Sequence, residues 1–266
     1  MTSVIFISFY AAMVANAVVF SALGQGGSVL YTPIQLFFGI EFHAAAATSL
    51  FLVMVTSLSS TLVFKNAGAV DWPMAIALES ATMLGGFLGG LHSGYFTGRF
   101  LTYLFSGVIA FAAIFIVRSF HPRACSEGRS YLWERRMGRE TYCVNLALAL
   151  PISLVAGLVS GLIGVAGGIL KVPMMVLLFG VPMNIAVGSS AFMVGLTATG
   201  GFLGHLKAGH AEWFTALALV PGIFVAGQIG ARLALRTDKK KMKIFFGYFL
   251  FGLAAFLALR AAYGGA

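Results

Sequence analysis

Two charged side chains lie inside apolar stretches of this chain. Lys171 follows Gly168 by three positions in a short apolar segment, and Glu79 lies within the apolar run 72–95. An ionisable group at membrane depth is costly, so it is a candidate functional group by default. We interpret Lys171 as a counter-charge for an anion or as a group that loses its charge in an empty site, and Glu79 as a carrier of protons. The alternatives are a Lys171 that snorkels to the membrane surface and a Glu79 that only pairs with a nearby cation.

Two glycine clusters, each followed by a proline, are the second chemical feature. Residues 24–27 read Gly-Gln-Gly-Gly before Pro33, and residues 164–168 read Gly-Val-Ala-Gly-Gly before Pro173. Glycine permits a sharp backbone turn, and a helix that starts after such a turn presents unpaired N–H groups to an anion. The pattern predicts an anion site between the two clusters. The alternative is that the glycines only let helices pack closely, as we expect for Gly85, Gly86, Gly89, Gly90, Gly157 and Gly161.

Two hydroxyl pairs, Thr48-Ser49 and Ser189-Ser190, are predicted to open a helix in each half of the chain. A hydroxyl at a helix start either caps the helix or binds an anion, and both interpretations stay open. The full set of candidate substrate-binding residues is Gly24, Gln25, Gly27, Ser28, Thr48, Ser49, Gly164, Gly167, Gly168, Lys171, Ser189 and Ser190.

Motifs for enzymatic chemistry are missing from the sequence. It has no Ser/His/Asp or Cys/His set at a spacing typical of a catalytic site, no His-Glu-x-x-His run and no P-loop. We therefore expect no enzymatic activity, no cofactor and no metal. Without an ATP site, transport would be by a channel or a secondary carrier.

Composition places these residues in a membrane protein. Of the 266 residues, 59% are hydrophobic and 9% are charged, against about 25% charged in soluble domains. Lipid must therefore cover much of the surface. A membrane helix needs about 20 apolar residues, and runs of that kind are found at 4–23, 44–64, 72–95, 100–117, 143–163, 186–206, 213–235 and 244–263. The segments 28–40 and 168–181 are shorter, and whether they cross or re-enter stays open.

An internal repeat organises these segments. Gly24, Gly27 and Pro33 recur 140 positions later, and the offset then becomes 141, so that residues 67–72 match 208–213. Each half has one broken segment, which does not change the parity of crossings, and three clear spans. An odd number of crossings therefore separates equivalent points of the two halves, so the halves are predicted to be inverted. The fold class is thus an all-α polytopic membrane protein of about 8–10 segments. We expect a first repeat at 1–117, a basic linker at 118–141 and a second repeat at 142–266.

The net charge of +9 is concentrated in two places, with six Arg in 118–139 and a second basic cluster in 236–243. Both lie between apolar runs, so the positive-inside rule places them in the cytoplasm and both termini outside. Binding of nucleic acid is not expected. Cys125 and Cys143 fall in or beside the basic linker, so we expect both to be reduced, without a disulfide.

One family resemblance follows from these motifs. The run 161–173, followed by Ala-Val-Gly-Ser-Ser at 186–190, resembles the signature of the TauE/SafE sulfite exporter family. The first half carries a looser copy at 24–33 and 47–49. The Ala-Gly-x-x-acid-Trp element at 67–72 is also similar to that family. The resemblance covers nearly the whole chain except the linker, and it departs from the repeat pattern where Ser28 stands opposite Gly168.

The resemblance implies a secondary carrier in the inner membrane of a prokaryote that exports sulfite, sulfonates such as sulfoacetate, or related anions. The expected partners are a small anionic substrate and the lipid bilayer, and a homodimer stays open. We expect alternating access driven by the membrane potential or a proton gradient. The alternatives are a passive anion channel of the same build and a carrier for an anion without sulfur.

Overall fold

The described part of this computed structural model is mostly helical. It covers residues 3–25, 30–40, 42–92, 107, 132–138, 140–163, 168–177, 179–207, 213–238, 244, 247–248, 251–252 and 254–255. Its helices are α1 (Ser3–Ala22), α2 (Tyr31–Phe37), α3 (Phe42–Asn66), α4 (Trp72–His92), α5 (Leu146–Ile163), α6 (Gly168–Leu177), α7 (Met183–Lys207) and α8 (Trp213–Arg236). Two strands, β1 (Leu132–Met137) and β2 (Glu140–Asn145), lie between α4 and α5.

Three of the described helices are long and apolar enough to cross a membrane. The qualifying stretches are Ile5–Ala22 in α1, Ala47–Asn66 in α3 and Phe214–Arg236 in α8. These helices fit the predicted helical membrane protein. Most of the predicted runs 100–117 and 244–263 lies outside the described residues.

The two segments predicted to be too short for a full crossing are short helices. At about 1.5 Å per residue, the 7 residues of α2 extend about 10 Å and the 10 residues of α6 about 15 Å. A bilayer core is about 30 Å thick. The interruption of the helical path at the first glycine cluster is therefore confirmed, since Gly24 has a left-handed φ of 71°. Residues 164–167 of the second cluster lie outside the described residues, so an interruption there stays a prediction.

The chain forms two compact units. The first contains Met1–Asp71 and Val187–Arg236, so it holds α1, α2, α3, α8 and most of α7. Helices α1 and α3 both pack against α8. Their apolar side chains form a common core with members such as Phe9, Leu52 and Ile223.

Close helix contacts in the first unit are made by small residues. The Ser21 hydroxyl donates to the Gly227 carbonyl oxygen at 2.6 Å, and the Ser59 hydroxyl donates to the Phe224 carbonyl oxygen. A Cβ atom on Gly230 would overlap the Val18 carbonyl oxygen. Such contacts stabilise helix pairs in lipid, where the hydrophobic effect between helices is weak.

The second unit contains Trp72–Ala186 and Thr237–Ala266. Helix α4 packs along α5. A Cβ atom on Gly85 would overlap the Leu154 carbonyl oxygen, and one on Gly157 would overlap the Thr82 carbonyl oxygen. The predicted packing role of Gly85 and Gly157 is confirmed.

A β-hairpin precedes α5, where the sequence had predicted the end of a linker and a helical span from 143. β1 and β2 pair antiparallel from Leu132↔Asn145 to Met137↔Glu140. Gly138 adopts a left-handed φ of 61° between them. The hairpin forms because side chains alternate in exposure along β2, which buries Tyr142 and Val144. Helix α5 consequently begins only at 146.

The expectation of reduced cysteines is wrong for Cys143, which is disulfide-bonded. The only other cysteine in the sequence, Cys125, lies outside the described residues. The expectation used the assumed compartment alone and took no account of which side chains the fold brings together. Disulfides persist mainly in oxidising compartments, so this bond conflicts with a cytoplasmic linker.

Candidate functional site

The first helix break is built by a glycine C-cap at the end of α1. Gly24 has a φ of 71°, which favours a residue without a Cβ atom. Its N–H donates to the Ser21 carbonyl oxygen at 3.0 Å, and the Gln25 N–H donates to the Phe20 carbonyl oxygen at 2.8 Å. This pair of bonds is the Schellman motif, which ends the helix while satisfying its last carbonyls.

Helix α7 holds this break in place. The Ser190 hydroxyl donates to the Gly24 carbonyl oxygen at 2.8 Å. The backbone of Val187 lies so close to Gly24 that a Cβ atom there would overlap the Val187 carbonyl oxygen. Both the backbone conformation and the space at this position thus require glycine.

Gln25 is the most unusual polar side chain of the break. It is 0% exposed, and neither its amide nitrogen nor its amide oxygen has a hydrogen-bond partner. Leaving a buried polar group unpaired costs about 1–3 kcal/mol, so native proteins rarely do it without a reason. An amide offers both a donor and an acceptor, which suits an oxyanion that carries its own hydroxyl.

The four predicted hydroxyls lie within helices and not at their starts. Helix α3 begins at 42 and α7 at 183, so Thr48 and Ser189 each lie six residues further on. They are too far along to cap their own helices, and that alternative is wrong. Ser189 instead accepts a hydrogen bond from the Asp71 N–H at 3.0 Å. The Thr48 hydroxyl is buried and has no partner.

Ser49 belongs to a buried polar cluster that includes a residue missed by the sequence reasoning. Gln35 donates through Nε2 to the Ser49 hydroxyl at 2.7 Å, and also to the carbonyl oxygens of Tyr31 and Ala45. Thr32 donates to the same Ser49 hydroxyl at 2.9 Å. The available signal was an amide side chain in the short apolar segment that follows the first break.

The second unit brings Lys171 and Glu79 together. Lys171 Nζ lies 2.6 Å from Glu79 Oε2, and the two side chains are 2% and 1% exposed. Lys171 therefore does not snorkel to the surface, and that alternative is wrong. Glu79 does pair with a cation, as its alternative interpretation required, and that cation is the other predicted charged residue.

Several predicted site residues lie outside the described part of the chain. These are Gly27, Ser28, Gly164 and Gly167. Gly168 is the first residue of α6. The convergence of the two glycine clusters on one anion site stays a prediction. Within the described residues, no group of three or more His, Cys, Asp or Glu side chains is arranged to hold a metal ion.

Comparison with known proteins gives consistent matches over nearly the full length. The model of the family described as "Sulfite exporter TauE/SafE" matches residues 8–257. The chain is 29% identical to "Probable membrane transporter protein YunE" of Bacillus subtilis, over 83% of this chain and 85% of that protein.

More distant relatives carry similar names. The chain is 27% identical to a "Probable membrane transporter protein" of Xylella fastidiosa, over 90% of this chain and 89% of the relative. It is 24% identical to "Probable membrane transporter protein MJ0441" of Methanocaldococcus jannaschii, over 90% of both chains. No solved structure matches the chain.

Proposed function

We propose, from the premise that this chain belongs to the TauE/SafE sulfite exporter family, that it is a secondary carrier exporting small anions by alternating access. The substrates we propose are sulfite, sulfoacetate and related sulfonates. The family is one of membrane transporters, and the relatives with similar names agree with that.

The observation that carries this proposal is the buried, unpartnered amide of Gln25 at an interrupted membrane helix. Interrupted backbone at membrane depth is tolerated where it lines a cavity or is buried in protein, and transporters place their substrates at such interruptions. A passing oxyanion accepts the hydrogen bond that the Gln25 amide nitrogen can donate. The unpartnered hydroxyl of Thr48 is available for the same use.

An inverted repeat is the architecture we propose for this carrier. The order of helices supports it, since a long helix, a short helix and two long helices occur on each side of the hairpin. The packing is also reciprocal. α1 packs on α8 within the first unit, and α4 packs on α5 within the second, so each unit pairs the first described helix of one half with the fourth described helix of the other.

The decisive experiment compares two glutamines in the full chain reconstituted into vesicles. Uptake of sulfite, methanesulfonate, sulfoacetate and sulfate is measured for the wild type and for Gln25→Leu and Gln35→Leu. Replacing an unpartnered buried amide by an apolar group is neutral or stabilising. Gln25→Leu should therefore lose at least tenfold in transport while unfolding at the same or a higher temperature.

Gln35→Leu is the matched control, because its amide nitrogen makes three hydrogen bonds. That variant should lower the unfolding temperature clearly, whatever it does to transport. Normal transport by Gln25→Leu would remove Gln25 from the site. If no anion of the panel is transported, the substrate class is wrong.

For orientation we propose that the linker 118–141 and the basic segment 236–243 face the cytoplasm, in a prokaryotic inner membrane, with both termini outside. Their positive charge supports this orientation, whereas the disulfide at Cys143 opposes it. A Cys125→Ser variant leaves Cys143 as the single thiol. Labelling of that thiol by a membrane-impermeant maleimide only after cells are permeabilised supports the proposal, and labelling in intact cells reverses the orientation.

A further inference from the structure

The Glu79–Lys171 pair brings an amino group and a carboxyl group into contact where almost no water reaches them. Both side chains are at most 2% exposed, and their charged atoms are 2.6 Å apart. Buried ion pairs are weak contributors to stability, because desolvation offsets the Coulomb attraction and apolar replacements are often tolerated. Stability alone therefore gives little reason to place these two residues together.

Charge balance decides what this pair can do with an anion. The pair is neutral as a whole, so an anion that binds at Lys171 Nζ adds one uncompensated negative charge to a dry environment. Such a charge is strongly unfavourable in a medium of low dielectric constant. Neutrality returns if the Glu79 carboxylate takes up a proton.

Among the described residues of the neighbouring elements, Glu79 is the group placed to accept that proton. His92 lies 13 residues along α4, or about 20 Å. Helix α5, which packs against α4, has no titratable side chain. The hairpin contacts α4 where the Tyr142 hydroxyl donates to Met74 Sδ at 3.9 Å. Its other titratable or charged residues within the described range are Glu134, Arg135, Arg136 and Glu140.

We infer that Glu79 and Lys171 form a proton-linked anion switch, in which one proton binds Glu79 for each anion that binds Lys171. In the empty state the ammonium and the carboxylate bind each other. On loading, the Nζ–Oε2 contact breaks and a hydronium ion from the aqueous phase gives its proton to the carboxylate. The ammonium keeps its three protons and holds the anion. Release of the anion and the proton restores the pair. This inference rests on the proposed anion transport.

The switch has a consequence for the energy source. A monovalent anion that moves together with a proton carries no net charge, so the membrane potential does not drive the step. The direction is then set by the anion gradient and the pH difference together. An acidic exterior would oppose export, in contrast to a uniporter driven by the potential.

The test is anion binding by the purified full chain in detergent, with methanesulfonate as the probe. Its sulfonate stays ionised between pH 5.5 and pH 8, so any proton taken up belongs to the protein. Calorimetry gives the affinity, and a pH indicator in weakly buffered solution counts protons. The wild type should take up about one proton per anion, and its affinity should rise about tenfold for each pH unit of acidification.

Two variants separate the switch from a structural pair. Glu79→Gln imitates the protonated acid, so it should bind the anion with the wild-type affinity of low pH, show no pH dependence and take up no proton. The double variant Glu79→Gln/Lys171→Met removes both charges without leaving one unpaired, and it should fold but not bind. Glu134→Gln, an exposed acid paired with Arg136 at 2.8 Å, is the matched control and should keep the full pH dependence.

The inference and the proposed function fail in different ways. If the wild type binds methanesulfonate without taking up a proton, or if Glu79→Gln keeps the proton uptake, the switch is wrong and anion transport stands. Normal binding by the double variant likewise overturns the role of Lys171. If the wild type binds neither methanesulfonate nor sulfoacetate, the proposed function is wrong and the switch is overturned with it. The wild-type proton count decides the matter even if Glu79→Gln does not fold.

Discussion

The same position in the two halves of the chain carries two very different side chains. Lys171 stands two residues before Pro173, and its repeat-related residue, Tyr31, stands two residues before Pro33. Both are completely or almost completely buried. Lys171 forms an ion pair with Glu79, whereas the Tyr31 hydroxyl forms a 2.8 Å hydrogen bond with the Thr56 hydroxyl.

Of these two repeat-related segments, the second therefore carries a charge and the first is neutral. The position that corresponds to Glu79 at the offset of 141 is Val220, so neither member of the ion pair has a charged counterpart. A buried charge requires a partner, while a buried hydroxyl requires only a hydrogen bond. The segment after the first glycine cluster therefore carries a buried hydroxyl that needs only a hydrogen bond, and the segment after the second carries a buried charge that needs a partner of opposite charge.

The largest expected effect comes from removing one member of the Glu79–Lys171 ion pair. Lys171→Ala or Glu79→Ala leaves an uncompensated buried charge, which should lower the free energy of unfolding by about 3–5 kcal/mol. The double variant Glu79→Ala/Lys171→Ala should recover a large part of that loss, because no charge is left alone. Unfolding in detergent, followed for both single variants and the double variant, measures the coupling. Additive losses would show that the two charges do not depend on each other.

Sequence reasoning identified both charged residues but not their partnership. Glu79 and Lys171 are 92 positions apart, and no periodicity links residues at that separation. The helix break after α1 was predictable because glycine and proline act locally on the backbone. The close contacts of Gly85 and Gly157 were predictable for the same local reason, since small residues in apolar helices mark interfaces.

The misses have physical causes of their own. Helices α3 and α7 begin before the apolar runs that were used to locate them, so Thr48 and Ser189 fall inside helices. There Ser189 accepts a hydrogen bond from the Asp71 N–H. The hairpin was hidden because charged residues of β1 were attributed to a linker. The alternation of exposure that forms a two-stranded sheet is weak over only six residues per strand.

The second-largest effect is expected at Gly24, where α7 packs against the helix break that follows α1. Gly24→Ala should lose about 1–2 kcal/mol from its left-handed backbone and about 1–3 kcal/mol from displacement of the Val187 backbone. Gly39 has a similar φ of 81°, but nothing lies within 4 Å of its missing Cβ atom. Gly39→Ala should therefore show the backbone cost alone. Equal unfolding temperatures for the two variants would show that packing of α7 against the break adds nothing.

A smaller effect tests the helix that carries Glu79. Gly85→Ala would push the added methyl group into the Leu154 carbonyl oxygen, at a cost of about 1–3 kcal/mol. At Gly86 the nearest atom is the Gly157 carbonyl oxygen at an ordinary 3.7 Å, so Gly86→Ala should be close to neutral. Thermal unfolding distinguishes the two. If Gly86→Ala is the more damaging substitution, α4 and α5 do not pack in this register.

The smallest effect on stability is expected at Tyr31, the uncharged residue that corresponds to Lys171 in the sequence repeat. Tyr31→Phe removes one hydrogen bond, which in membrane proteins contributes about 0.6 kcal/mol on average. The Thr56 hydroxyl keeps its 2.7 Å bond to the Leu52 carbonyl oxygen, so no buried group is left unpaired. Tyr31→Phe should therefore unfold near the wild-type temperature and keep its anion affinity and pH dependence. A loss of pH dependence in this variant would mean that Tyr31 also takes part in proton-linked anion binding. The difference in charge between Lys171 and Tyr31 would then not correspond to a difference in function.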